Sequence, residues 1–204
     1  MNTSDRILAT ALRLFNQSGT AAVSTNHIAD ALGISPGNLY YHFRNKEAII
    51  RALFEQQFAQ WDAAYTLPSD RMPTLDDMWR MVNDTFPASW EYRFIYRELI
   101  ALLRRDDELN RRWVEVRARG FDGFRQLVEV FVAAGLLRPP SDSEEVTRLA
   151  ELIWMINEFW LASVEVSGQA VDAAQMAHGA ALMRHVLEPY IIDWRPRSDI
   201  SKPG

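Results

Sequence analysis

The chain has no cysteine, two lysines and no unbroken run of eighteen apolar residues. Without cysteine there is no disulfide, no thiolate nucleophile and no Cys-based metal or redox switch. The most apolar stretch, residues 149–164, is interrupted by Glu151, Asn157 and Glu158, which argues against a transmembrane span. The opening MNTSDRILATALRLF lacks a basic start followed by an apolar block, so it reads as an amphipathic helix, not a signal peptide. A cytoplasmic location with no membrane partner is therefore expected. A basic surplus is also missing: the net charge is −5. Residues 1–57 hold five Arg and Lys against four Asp and Glu, and the remainder holds 17 against 23. Charge alone argues neither for nor against a nucleic-acid partner.

The motifs of common enzymes are missing as well. There is no HExxH, no phosphate-binding loop and no Glu-x-x-His pair. A literal GxSxG occurs at Gly33-Ile34-Ser35-Pro36-Gly37, but a nucleophile elbow needs a strand before it, and here two helices flank the string. His178 and His185 are seven apart, about 10 Å along a helix axis, too far for neighbouring ligands of one metal. No catalytic residue, cofactor or metal is expected.

What the chain does have is helix periodicity. Apolar residues recur at three and four spacing almost throughout, with no sustained period-two alternation. An all-α fold of about nine helices is expected. Helix one covers 4–17, with Ile7, Leu8, Ala11, Leu14 and Phe15 inward and Gly19 closing it. Ser24 or Thr25 caps a second helix that ends at Gly33, and Ser35 caps a third with Pro36 in its first turn. Helix four covers 46–65. Thr74 and Asp77 form a capping box for a helix that ends near Phe86, before Pro87. Further helices cover 92–104, 107–135, 142–167 and 172–191, the last kinked or ended by Pro189, and the tail after Asp193 reads as loose.

The second and third helices, joined by Gly33-Ile34-Ser35, are too short to stand alone and persist only if packed on neighbours. With the longer first helix they form a helix-turn-helix pattern. In GNLYYHF, Leu39 and Phe43 can both face inward with Ile28, Leu32 and Ile34. Gly37, Asn38, Tyr40, Tyr41 and His42 are then left toward solvent. Two adjacent tyrosines and a histidine on one small helix suit phosphate oxygens and thymine methyls; the rival reading is a protein-contact face. Lys46 opens helix four, where ammonium and helix end both favour a phosphate.

Over residues 5–57 the sequence resembles the TetR family of bacterial regulators. TNHIADALGIS and PGNLYYHFRNKEAII carry the likeness, with the specific string G-x-S-x-G-x-L-Y-x-H-F-x-x-K over 33–46. The resemblance implies a homodimer that binds a palindromic double-stranded DNA operator, usually as a repressor, and releases it when a small molecule enters the larger domain. It places Thr25 on phosphate and Asn26 near a base. Pro36, Gly37 and Asn38 would face base edges, Tyr40 and Tyr41 would divide between base and backbone, and His42 and Lys46 would hold phosphates. Pro36 and Gly37 present almost no side chain where many relatives carry a base reader, so specificity would lean on Asn38, the tyrosines and DNA shape. The helix-turn-helix domain is set at 1–46 and a helical ligand-binding and dimerisation domain at 47–204, linked by helix 46–65.

Residues 58–204 hold all seven tryptophans, Trp61, Trp79, Trp90, Trp113, Trp154, Trp160 and Trp194. They fill core or line an aromatic pocket. Trp61, Trp79, Trp90, Trp113, Asn157 and Glu158 are the candidate ligand contacts; Asn157 and Glu158 break an apolar helix and point either at a ligand or across a dimer. The segment FIYRELIALLRRDDELNRRW (94–113) is similar to one in the C-terminal domain of a TetR subgroup. Within it, Arg97 and Glu98 read as a buried ion pair or pocket lining, and Asp106, Asp107 and Glu108 as the charged start of a helix. Helix 142–167 is apolar nearly all round, and helix 172–191 carries a stripe of Met176, Ala180, Met183, Leu187 and Tyr190. These two helices suit a dimer interface or, equally, burial within the chain. Control by a partner protein instead of a small molecule is the alternative regulatory reading.

Overall fold

The computed structural model describes residues 2–192; Trp194 and the tail after Asp193 lie outside the described residues. Among the described residues the elements are nine α-helices: α1 (Thr3–Ala22), α2 (Thr25–Leu32), α3 (Pro36–His42), α4 (Lys46–Ala64), α5 (Leu75–Glu91), α6 (Arg93–Arg105), α7 (Asp107–Ala133), α8 (Glu145–Val166) and α9 (Ala173–Leu187). A 3₁₀ turn, Glu188–Tyr190, follows α9 where Pro189 was expected to end it. No strand occurs among these residues beyond the isolated bridge between Leu137 and Ile191. None of the described helices is long and apolar enough to cross a membrane.

The helix starts follow from local hydrogen bonds. Ser24, Ser35, Asn45, Thr74, Asp106 and Asp172 each accept a backbone N–H from the first turn of the helix they precede. Asn2 and Asp5 form a capping box at the first helix, which starts at Thr3, one residue before the expected 4. Gly19 breaks that helix as expected, at φ 76°, and Thr20–Ala22 add a last turn beyond it. Gly33 at φ 69° ends α2, and the N–H of Ile34 reaches back to the Ala29 carbonyl.

Pro87 does not end its helix; α5 runs through it to Glu91. Proline removes one N–H, but the residues on both sides, Phe86 and Ser89, are buried. The Ser89 and Thr85 hydroxyls also donate to the carbonyls four residues before them, so tertiary packing outweighs one missing bond.

A single apolar cluster runs from the helix-turn-helix into the larger part of the chain. It includes Ile7, Phe15, Ile28, Leu39, Ile49, Leu53, Phe54, Phe94, Leu99, Trp113 and Met183. The junction is polar and specific. Asn16, buried, donates to the Glu91 carbonyl at 2.7 Å and accepts from the Phe94 N–H at 3.1 Å, which fixes α1 against the turn between α5 and α6. Arg97 and Glu98 do not pair with each other. Glu98 accepts from the backbone N–H of Thr20 at 2.8 Å and from its hydroxyl at 2.5 Å, while Arg97 pairs with Glu165. Adjacent positions on a helix point about 100° apart, so the two side chains meet different neighbours.

Two carboxylates tie loops to helix starts. Arg138 forks onto Glu145 at 2.6 and 3.1 Å and, with the Ser141 N–H and hydroxyl, holds the Glu145 carboxyl down to about 2. Arg71, with Thr74, holds Asp77 well below the usual carboxylate range. Both groups bind their proton less readily when folded, so their contribution is complete above about pH 4.3 and fades as pH falls from there toward 2. The melting temperature should drop over that interval, and Glu145→Gln should flatten the drop in a thermal series across pH. An unchanged slope in the variant removes Glu145 from the account.

Candidate DNA interface and ligand cavity

The short helices α2 and α3 are held from below and open above. Leu39 is 0% exposed, on Ile28 and Ala29, with Leu32, Ile34 and Phe43 partly buried around it. On the opposite side Asn26, Pro36, Gly37, Asn38, Tyr40, Tyr41 and His42 are all exposed, and Thr25 is half-buried. Tyr41 is 85% exposed and meets His42 edge-on at 5.2 Å. Tyr40 is tied at its tip: its phenol oxygen lies 3.0 Å from the Thr25 hydroxyl, which links the start of α2 to the last turn of α3. A side chain at Gly37 would meet only the Ser35 oxygen, at 3.9 Å, so the backbone there is open to close approach.

Lys46 departs from its expected setting. Its ammonium donates to the carbonyls of Thr20 at 2.7 Å and Val23 at 3.1 Å. The end of α1 is thus gripped by Lys46 from α4 and by Glu98 from α6. Two of the three ammonium protons are spoken for, leaving one for any other acceptor. The sequence offered no sign of this, because the partner carbonyls are backbone groups more than twenty residues away.

A cavity of about 490 Å³ opens between the C-terminal end of α4, the middle of α7 and α8. Of the six expected ligand residues, Trp61, Trp113, Asn157 and Glu158 line it. Trp79 and Trp90 do not: the Arg184 guanidinium lies over Trp79 at 5.2 Å and that of Arg93 over Trp90 at 4.6 Å. A tryptophan's place depends on the rotation of its helix, which composition does not reveal. Trp154, not among the expected contacts, lines the cavity together with Tyr65 and Phe124.

The aromatic walls pack on one another. Trp61 and Trp113 lie edge to face at 5.6 Å, and Phe58 touches both. The indole N–H of Trp61 donates to the buried Gln57 at 2.9 Å. Glu158, 6% exposed, accepts from Arg117 Nε at 2.9 Å. Burial raises its carboxyl above the ordinary value, and Arg117 offsets part of that. The Asn157 amide oxygen lies 3.1 Å from the Ser89 hydroxyl, whose one proton is shared with the Thr85 carbonyl.

Ion pairs join α4 to α7 along their length: Arg51 with Asp106 and Glu108, Glu55 with Arg112, and Asp62 with Arg119. Exposed pairs add little stability each, but together they set the register between the helix that enters the head and the helix that walls the cavity.

Of the two readings of the α9 stripe, burial within the chain holds for its methionines and leucine. Met176, Met183 and Leu187 are buried within the chain, and a side chain at Gly179 would come within 2.4 Å of Phe86 and 2.7 Å of Trp160. That face is closed by α5 and α8 of the same chain. What stays exposed is the other face, Ala174, Ala177, Ala181 and His185, beside Leu152, Met155, Phe159 and Val166 of α8.

A three-helix head with one open helix-turn-helix face, attached to a helical body with an aromatic cavity, defines a DNA-binding, ligand-responsive class of regulator. Comparison with known proteins agrees. Residues 7–53 match the family model described as bacterial regulatory proteins, tetR family, and residues 54–194 match one described as bacterial transcriptional repressor. The chain belongs to the TetR family of transcriptional regulators. The crystal structure of a TetR-family regulator from Marinobacter aquaeolei VT8 is similar with TM-score 0.85 and 32% identity, covering 95% of this chain and 93% of that one. The Escherichia coli class A tetracycline repressor from transposon 1721 is 35% identical over 74 residues, 36% of this chain and 32% of that protein. The regulator UidR of Escherichia coli K12 is 30% identical over 99 residues, 48% of this chain and 50% of that protein. The chain thus aligns with half or less of the length of these two curated relatives.

Proposed function

We propose that the chain is a cytoplasmic repressor that binds a palindromic operator as a homodimer and is released by a small apolar or aromatic molecule, acting by binding alone without catalysis. The observation that carries this is the exposed strip on α2 and α3 set at the far end of α4 from the cavity. Residues 1–46 serve as the DNA-binding domain and 47–204 as the ligand-binding and dimerisation domain. Thr25, Asn26, Pro36, Gly37, Asn38, Tyr40, Tyr41 and His42 meet DNA, with α3 in the major groove. Lys46 reaches a phosphate with its remaining N–H while it holds the end of α1. Asn38 and Tyr41 read bases, since Pro36 and Gly37 offer little to read with.

The dimer forms through α8 and α9, using Leu152, Met155, Phe159 and Val166 at spacings of three, four and seven, and the exposed alanine face of α9. These spacings lay one apolar stripe along a helix, and such a stripe is covered in a two-fold packing. The effector cavity is walled by Trp61, Asp62 and Tyr65 at the C-terminal end of α4. The other end of that helix, about 28 Å away at 1.5 Å per residue, holds the head through Lys46. A ligand that displaces one end tilts the other and changes the spacing of the two heads. A coupling of about 1–3 kcal/mol corresponds to a 5–150-fold change in operator affinity.

The test is fluorescence anisotropy with the DNA upstream of the chain's own gene, beside scrambled DNA, across a salt series. Preference for the former supports the reading; no binding to either at low salt overturns it. In the same assay Tyr41→Ala should weaken specific binding about ten-fold or more while leaving the melting temperature unchanged, because Tyr41 buries almost nothing within the chain. Equal affinity of variant and parent removes Tyr41 from the contact set.

A further inference from the structure

We infer that the cavity takes an uncharged aromatic molecule bearing one hydrogen-bond donor, with its ring among Trp61, Trp113 and Trp154 and its donor on the Glu158 carboxylate. This rests on the reading of the cavity as the effector site.

The lining holds two acids, Asp62 and Glu158, and two arginines, Arg117 and Arg119. All four are committed: Arg117 to Glu158 at 2.9 Å, and Arg119 to both oxygens of Asp62 at 3.0 Å. The lining is neutral in sum, and each charge has its partner. Arg117 bonds Glu158 through Nε alone, so an anionic ligand on its remaining N–H groups would lie beside the buried Glu158 carboxylate and be repelled by it. A cationic ligand at Glu158 would sit beside Arg117, whose guanidinium is held over the Phe121 ring at 4.8 Å. It would add a third positive charge to a lining that already carries two.

An uncharged ligand disturbs neither pair, and the walls suit one. Trp61 and Trp113 form one aromatic corner, and Trp154, in contact with Phe121 at 4.6 Å and Phe124 at 6.0 Å, forms a second across the cavity. A buried carboxylate can accept several hydrogen bonds, yet Glu158 receives only the one from Arg117 among the described residues. Its second oxygen is an acceptor without a donor. That oxygen stays accessible from the cavity, where a ligand O–H or N–H can take it in place of water.

Isothermal titration calorimetry of the full chain without DNA tests this with four naphthalene probes at pH 7. These are 2-naphthol (neutral, one donor), 2-methoxynaphthalene (neutral, no donor), 2-naphthoate (anion) and 2-naphthylmethylammonium (cation). 2-Naphthol should bind at least ten-fold tighter than either ion and about ten-fold tighter than the ether. Glu158→Gln should bring 2-naphthol down to the level of the ether and leave the ether unchanged. Gly123→Leu should abolish binding of both, since Gly123 lines the cavity and has open space where a side chain would grow. An ion that binds as tightly as 2-naphthol, or a Glu158→Gln variant that binds 2-naphthol like the parent, overturns the inference. So does failure of all four probes; operator binding measured on the same sample then still stands or falls separately. If 2-naphthol binds as described but leaves operator affinity unchanged, the ligand class holds and the effector reading falls.

Discussion

Leu39→Ala is expected to cost about 2–5 kcal/mol of stability, the range for truncating a fully buried leucine, and to abolish operator binding with it. Leu39 is 0% exposed and is the only buried residue of the seven in α3. A seven-residue helix has no stability of its own. Its position depends on this side chain against Ile28 and Ala29, on the Ser35 cap and on the first-turn proline. The cost is a large share of the 5–15 kcal/mol typical of a whole domain. Because the apolar cluster is continuous from the head to α9, urea unfolding should shift as one transition, without a separate early loss of the head. The contrast with Tyr41→Ala is the point: one change removes the scaffold and the other removes the reader. A Leu39→Ala protein with parental affinity for DNA would falsify the inward assignment of that side chain.

Phe159→Asp is expected to turn the homodimer proposed above into a monomer. Phe159 is 40% exposed, between Met155 at 58% and Val166 at 87% on the same stripe of α8. Monomers rarely show so many large apolar groups along one helix without covering them. Burying such a side chain is worth about 1.5–3 kcal/mol. A two-fold interface uses each residue twice, and 40% of the side chain is left to cover, so the apolar loss is about 1–2.5 kcal/mol before the cost of a buried carboxylate is counted. The dimer dissociation constant should rise at least a hundred-fold in sedimentation equilibrium. Folding should be retained, since the core of α8 is Leu149, Ile153, Leu161 and Val164 on other faces. Operator affinity should fall with dimerisation, because a monomer engages one half-site. A variant that remains a dimer at parental strength places the interface elsewhere.

These two outcomes differ in how far the sequence anticipated them. Leu39 was legible as core. Its spacing to Phe43, the Ser35 cap, the proline after it and the glycine before it are features whose physical content lies within four residues. The same holds for Ser24, Thr74 and Asp106, each of which accepts the N–H three residues on. Local hydrogen bonds and the 3.6-residue period therefore determined the helices, the starts of those with a capping side chain and the open face of the head, while α8 starts three residues later than its pattern suggests and has no side-chain cap. The string from Gly33 to Lys46 determined the family.

The interface stripe was not legible in the same way. α8 and α9 are apolar on more than one face, and composition does not give the rotation of such a helix about its axis. The α9 stripe suited an interface or the chain's own core equally; Met176, Met183 and Leu187 are intrachain core, and the exposed face is the alanine side. Likewise, which tryptophans line the cavity, the split of Arg97 and Glu98 to different partners, the passage of α5 through Pro87 and the grip of Lys46 on Thr20 and Val23 were decided only by the tertiary structure. The physical reason is range. Glu98 meets Thr20 across 78 residues, and Arg117 meets Glu158 across 41. Contacts of that kind depend on how whole helices settle against one another to fill a shared core, and no pattern within one helix records the outcome.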